Sequence, residues 1–135
     1  IRTLASTEMI LVHYGAHYDS IYDKRDIFSL TIDNGRPKLY AQEDKMMTTA
    51  KDISLNDGQW HHIAVSMAHS NCLLSEVELF IDGTKVETKG PDNDEALFFI
   101  HHGRVSLGGL GYSSSKYERR FPNWNPYKGS MDRFL

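Results

Sequence analysis

The chain of 135 residues carries a formal net charge of −3 and a single cysteine. Its length corresponds to about one domain with a core of its own, and its slight acid excess argues against a nucleic-acid surface. No apolar run approaches the roughly 18 residues of a membrane-spanning helix, and Cys72 alone can form neither an internal disulfide nor a cysteine cluster for zinc.

The first strand pattern is Met9-Ile10-Leu11-Val12-His13-Tyr14. Asp26 to Ile32 (DIFSLTI) leads through Asp33-Asn34-Gly35 into Lys38 to Gln42, which reads as a hairpin. In LNDGQWHHIAVS, residues 55–66, Asn56-Asp57-Gly58 is turn chemistry, because Asn and Gly tolerate left-handed backbone angles. Ile63, Val65 and Met67 then recur at period two, and Trp60 is expected to anchor the start of that strand in the core. Val77, Leu79 and Ile81 alternate with Glu78 and Phe80, reach the two-residue type I′ signal Asp82-Gly83, and return through Lys85 to Glu87. Arg104 to Leu107 gives way to Gly108-Gly109, where the backbone can bend or pack closely.

No window of helical length keeps an apolar stripe at 3.6-residue spacing, so a short turn is all the helix expected. Many short antiparallel strands at regular spacing predict an all-β fold, a two-sheet antiparallel β-sandwich of jelly-roll type. With no linker composition and no internal repeat, residues 1–135 are expected to form a single domain. Its predicted core is the bulky face of the alternating strands: Ile10, Val12, Leu30, Ile63, Val65, Val77, Leu79, Ile81, Val105 and Leu107.

Three groups of residues invite a chemical reading. Glu76 and Glu78, two apart on one predicted strand, would share a face with carboxylates about 7 Å apart. A retaining glycosidase wants about 5 to 5.5 Å, and the next same-face position is Phe80, so catalysis is not expected. His13 and His17 have the i, i+4 spacing of a helical zinc site, yet four residues of strand span roughly 13 Å, too far for one ion. His61-His62 and His101-His102 are adjacent pairs, whose side chains leave a strand on opposite faces, so no histidine metal site is expected.

SSSKYERRFPNWNPYKGS, residues 113–130, mixes Lys116, Arg119, Arg120 and Lys128 with Tyr117, Phe121, Trp124 and Tyr127. Long loops of this kind carry binding, with guanidinium forks for sulfate or carboxylate and aromatic faces for sugars or apolar partners. They also occur as plain surface loops pinned by their own aromatics and by prolines, here Pro122 and Pro126. The residues alone leave both readings open.

ILVHYG (10–15), DIFSLTIDNGRPKLY (26–40), LNDGQWHHIAVS, VELFIDGTKVE (77–87), RVSLGGL (104–110) and YKGSMD (127–132) follow one another as in laminin G-like domains. The family's DGxWH turn is matched by Asp57, Gly58, Trp60 and His61, its VDG hairpin by Ile81-Asp82-Gly83, and its LGG strand by Leu107-Gly108-Gly109. The chain resembles most the tandem domains at the C-terminal end of laminin α chains.

The resemblance implies a concanavalin A-like sandwich, with terminal edge strands expected to lie outside this sequence. It also implies an extracellular, secreted role in matrix adhesion without catalysis. The partners it implies are integrin or dystroglycan-type receptors, heparan sulfate, and sister domains of a larger chain, with no nucleic acid and no membrane insertion. On this reading Lys116, Arg119, Arg120 and Lys128 are the candidate glycan- or receptor-binding residues. A lectin-like or spacer domain of another secreted protein is the alternative.

Two departures from the family pattern matter. Ser130 stands where the family usually has a cysteine, and Cys72 lies elsewhere, so the usual disulfide is absent. Members that bind Ca²⁺ use an acid matched here by Asp26 and a second Asp or Asn before the LGG strand. That second region reads Phe99-Ile100-His101-His102-Gly103, without the oxygen ligands a hard cation wants. No cofactor is expected to be required, and Ca²⁺ is expected to contribute little.

Overall fold

The turns Asn34-Gly35 and Asp82-Gly83 set the register of the two hairpins on which the sheets are built. In the computed structural model, both residues of each turn have positive φ: 47° and 80° in the first, 51° and 76° in the second. That is the type I′ geometry whose twist matches a β-hairpin. The structure describes residues 1–16, 28–41, 45–69, 72–90, 103–109 and 125–132.

Among these residues, strands β1 (Met9–Ala16), β2 (Phe28–Asp33), β3 (Arg36–Ala41), β4 (Lys45–Thr49), β8 (Thr88–Lys89), β9 (Gly103–Leu107) and β10 (Asn125–Pro126) form one sheet. Its order is β10-β1-β2-β3-β4-β8, with β9 also pairing β1. Strands β5 (Ile63–Ser66), β6 (Glu78–Ile81) and β7 (Thr84–Val86) form a second sheet. Pairing is antiparallel throughout except between β1 and β10, where Met9 lies opposite Asn125. The only helical turn among the described residues is a 3₁₀ turn, Leu74–Glu76.

The core lies between the sheets. Leu30, Ile32, Leu39, Ala41 and Met47 of β2–β4 meet Val77, Leu79 and Ile81, with Leu55, Cys72 and Leu74 sealing the cluster. Ile63 and Val65 are half-buried and pack against it, as the period-two pattern predicts for one strand face. Burying this apolar surface is the main force closing the sandwich.

Three sequence expectations need correction. A register shift between Ile10 and Val12 sets Ile10 opposite Thr31 and Val12 opposite Leu30. The bulge therefore sends these two residues to opposite faces; Ile10 is buried and Val12 packs against the core cluster as expected, but Leu11, absent from the predicted core, joins it. Val105 and Leu107 alternate correctly, opposite Tyr14 and Val12, yet they are 60% and 49% exposed. Among the described residues the core cluster includes β1 but no residue of β9. Trp60 is 50% exposed and is no core anchor. It precedes the first paired residue of β5, and Leu55 is the fully buried side chain of that stretch.

The opposite face of β1 and β2 is buried as well, but polar. His13, Ser29 and Thr31 are inaccessible to solvent, and His13 Nδ1 shares a 2.7 Å hydrogen bond with Ser29 Oγ. Thr31 and Tyr40 donate to Glu8 Oε1 at 2.9 and 2.8 Å, while Lys38 donates to Asp33 at 2.7 Å. Buried polar groups on a central sheet require such partners.

The two type I′ turns differ in their surroundings, which yields a paired prediction. A Cβ at Gly83 would meet nothing within 4 Å, whereas one at Gly35 would collide with the Asn56 side chain and the Leu55 backbone. Gly83→Ala should cost about 1 kcal/mol, the left-handed penalty alone. Gly35→Ala should cost at least about twice that, because backbone must also move. Urea midpoints of the two variants provide the comparison.

Candidate functional site

The DGQWH stretch is organised by His61. The Asn56-Asp57-Gly58 turn, with Gly58 at φ 82°, brings Asp57 back so that its Oδ1 accepts from the Gln59 N–H at 2.8 Å. The same oxygen lies 3.1 Å from His61 Nε2, and Asp82 Oδ2, from the β6–β7 turn, lies 2.8 Å from His61 Nδ1. The other Asp82 oxygen accepts the His62 N–H. Both ring nitrogens thus face carboxylates, and only the imidazolium can donate to both.

The hydrogen bond to Asp82 is the main cause that raises the His61 pKa above its ordinary value; desolvation opposes it, and the weaker effect of the bond to Asp57 adds to the rise. Asp82 is held below the usual carboxylate value chiefly by His61, and Asp57 chiefly by the Gln59 N–H and then by His61. This is a structural clamp. Among the described residues, no three His, Cys, Asp or Glu side chains are placed to hold a metal ion.

The clamp fixes one wall of an open cleft. Ile1 and His61 exchange both backbone hydrogen bonds, at 2.7 and 2.8 Å, and the Gly58 N–H donates to Thr3 O at 3.0 Å. On the other side Arg2 and Ser130 exchange two bonds of 2.9 Å, and Thr3 Oγ1 donates to Lys128 O at 2.6 Å. Residues 1–3 are therefore laced between the 57–61 turn and residues 127–130. The resulting cleft, about 350 Å³, is lined by Arg2, Thr3, Leu4, Gly58, Lys128, Gly129 and Ser130. The Arg2 guanidinium carbon sits 5.3 Å from the centroid of the Trp60 ring, a cation–π contact.

Of the candidate binding residues, the structure places Lys128 at this cleft with its side chain exposed. Lys116, Arg119 and Arg120 lie outside the described residues, as do Asp26, His17, His101 and His102. Glu76 and Glu78 do not share a strand. Glu76 ends the 3₁₀ turn and its Oε2 accepts the Leu73 N–H at 2.6 Å, whereas Glu78, on β6, pairs with Lys85. His13 is buried on the polar face of β1, bonded to Ser29. Sequence reasoning missed Arg2 because its role comes from Trp60, 58 positions away, and no local pattern reports such a contact.

Two sheets closed over one apolar core, with an open cleft at the seam, define an all-β sandwich of the jelly-roll class. The model of the Laminin G domain family matches residues 1–134, and the chain belongs to that family. Laminin G domains are, as a family, extracellular adhesion and binding modules, generally without catalysis. Among solved structures, "Mouse laminin alpha1 chain, domains LG4-5" is similar in fold, with a TM-score of 0.55 and 22% identity. The match covers 82% of this chain and 26% of that one, so the chain spans about a quarter of that structure's length. No curated protein matches significantly. No helix among the described residues is long and apolar enough to cross a membrane.

Two of the described histidines, His61 and His13, predict opposite pH responses. His61, with its pKa raised above 6.5, contributes stability that is full below 6.5 and is lost as pH rises through the folded-state value. The depressed Asp57 and Asp82 contribute above the ordinary 3.8 and lose it as pH falls through their lowered values. His13, pushed down to about 4 by burial, contributes stability above 6.5 that is lost as pH falls toward 4. At about 1.4 kcal/mol per pKa unit, that loss is about 3 kcal/mol. NMR titration of the imidazole resonances should find one histidine protonating near pH 4 and one above 6.5. His61→Gln should be most destabilising near pH 6, by about 1 kcal/mol, and less so at pH 9.

Proposed function

We propose that the chain is an extracellular-matrix adhesion module that binds anionic glycans such as heparan sulfate, or integrin- or dystroglycan-type receptors, without catalysis. Lys116, Arg119, Arg120 and Lys128 supply the attraction in this reading. The observation that supports it is the state of Lys128. Its N–H lies on Met9 Sδ at 3.2 Å and its carbonyl accepts from Thr3, so the backbone is fixed while the ammonium projects from the surface.

Three cations elsewhere in the fold are committed to acids: Arg36 to Asp52, Lys38 to Asp33, Lys85 to Glu78. Lys128 has no carboxylate partner among the described residues, and neither does Arg2 beside it. A local basic patch attracts a polyanion despite a net charge of −3, because fields decay within about 8 Å at physiological salt. Arginines fork onto sulfate or carboxylate, and lysines act as point charges.

Retention on a heparin column should be salt-dependent and vanish at roughly a few hundred millimolar salt. Arg119→Ala with Arg120→Ala, and separately Lys128→Ala, should reduce it without lowering the melting temperature. Flow-through of the parent protein would instead indicate a spacer domain. We also propose that no metal is needed for this role, Asp26 being the one residue that matches a Ca²⁺ ligand of the family. Millimolar Ca²⁺ should then move the melting temperature by at most about two degrees.

A further inference from the structure

We infer that Trp60, Arg2 and Lys128 form a subsite for an anionic pyranose, the sugar's C–H face lying on the indole while its sulfate or carboxylate is held by the two cations. This rests on the reading of the module as a glycan binder and extends it beyond the loop cations to a surface with ring-stacking chemistry. The Arg2 guanidinium lies over one face of the indole, and the half of the ring open to solvent offers the sugar an apolar surface at small entropic cost, since only two side-chain angles need fixing. Leu4, 76% exposed, adds a second apolar element along the cleft. The lining is thus part apolar and part charged, which matches a sulfated or uronic sugar better than a bare polyanion.

The subsite is built rather than improvised. The backbones of Arg2 and Ser130 are tied together by two hydrogen bonds, and the cation–π contact holds the Arg2 guanidinium at the indole. Its planar fork is therefore placed before a ligand arrives, which lowers the ordering cost of binding. Gly58 and Gly129 line the cleft without side chains. A Cβ on Gly129 would collide with the Arg2 carbonyl and the Tyr127 hydroxyl, and one on Gly58 would press on Leu4. Asp57 and Asp82 are both bound to His61, which as the imidazolium cancels one of their two negative charges.

The test is calorimetric titration of the protein with two probes, a heparin-derived octasaccharide and inorganic polyphosphate, which carries charge but no sugar face. Arg2→Gln and Lys128→Gln should each weaken both probes severalfold. Trp60→Ala should weaken the octasaccharide roughly three- to tenfold and leave polyphosphate unchanged, while Trp60→Phe retains most of the affinity. In a Trp124→Phe background, saturating octasaccharide should shift or quench the Trp60 emission. That readout stands even if Trp60→Ala fails to fold. A parent that binds neither probe overturns the glycan reading itself. Octasaccharide binding that survives Trp60→Ala and Arg2→Gln, equal weakening of both probes by Trp60→Ala, or emission unmoved at saturation would overturn the subsite alone.

Discussion

The lacing of residues 1–3 between the 57–61 turn and residues 127–130 is the constraint on which the rest of the molecule depends. Two unrelated segments are brought to one place by backbone hydrogen bonds from a third, Ile1 with His61 and Arg2 with Ser130. Hydrophobic burial holds the sheets together but is non-directional, and by itself it would let one sheet slide over the other. Paired backbone bonds have a register, and this register puts Arg2 at the Trp60 ring and Lys128 on the far wall of the same cleft. His61 serves the seam twice, through its backbone to Ile1 and through its ring to the turns that carry Asp57 and Asp82.

Charge is distributed with the same economy. Along the β2–β3 hairpin the cations are neutralised by nearby acids, Lys38 by Asp33 and Arg36 by Asp52. Such exposed or half-exposed pairs add little stability, commonly under about 1 kcal/mol, but they silence the surface electrostatically. At the seam Asp57 and Asp82 are bound by His61, and Arg2 and Lys128 have no acid partner among the described residues. An overall acidic protein can therefore present a cationic cleft.

The sequence reports what is local. Asn34-Gly35 and Asp82-Gly83 were readable as hairpin turns because the positive φ they must adopt is costly for most residues. Leu30, Leu79 and Ile81 were readable as core from alternation alone. What failed was non-local. Val105 and Leu107 have the right alternation, but whether a face is covered depends on where the second sheet stops. The Leu11 bulge inverts a face without leaving any mark in the apolar pattern. Trp60 was assigned to the core because its motif begins a strand, and its exposure follows from the position of the small sheet and of Arg2. Of the candidate site, Lys128 was visible as part of a cationic run, whereas Arg2 stands alone in sequence and acquires its meaning only from the fold.

The bridge between Arg2 and Ser130 has one more consequence. Ser130 occupies a position where related domains are expected to carry a half-cystine, and here backbone hydrogen bonds tie the same segment down. A cross-link of sulfur forms on the timescale of seconds to hours and needs an oxidant, whereas hydrogen-bonded strand contacts assemble in microseconds once the chain ends meet. The one thiol among these 135 residues, Cys72, is wholly buried, so the contacts that close the seam here are ones that need no oxidant.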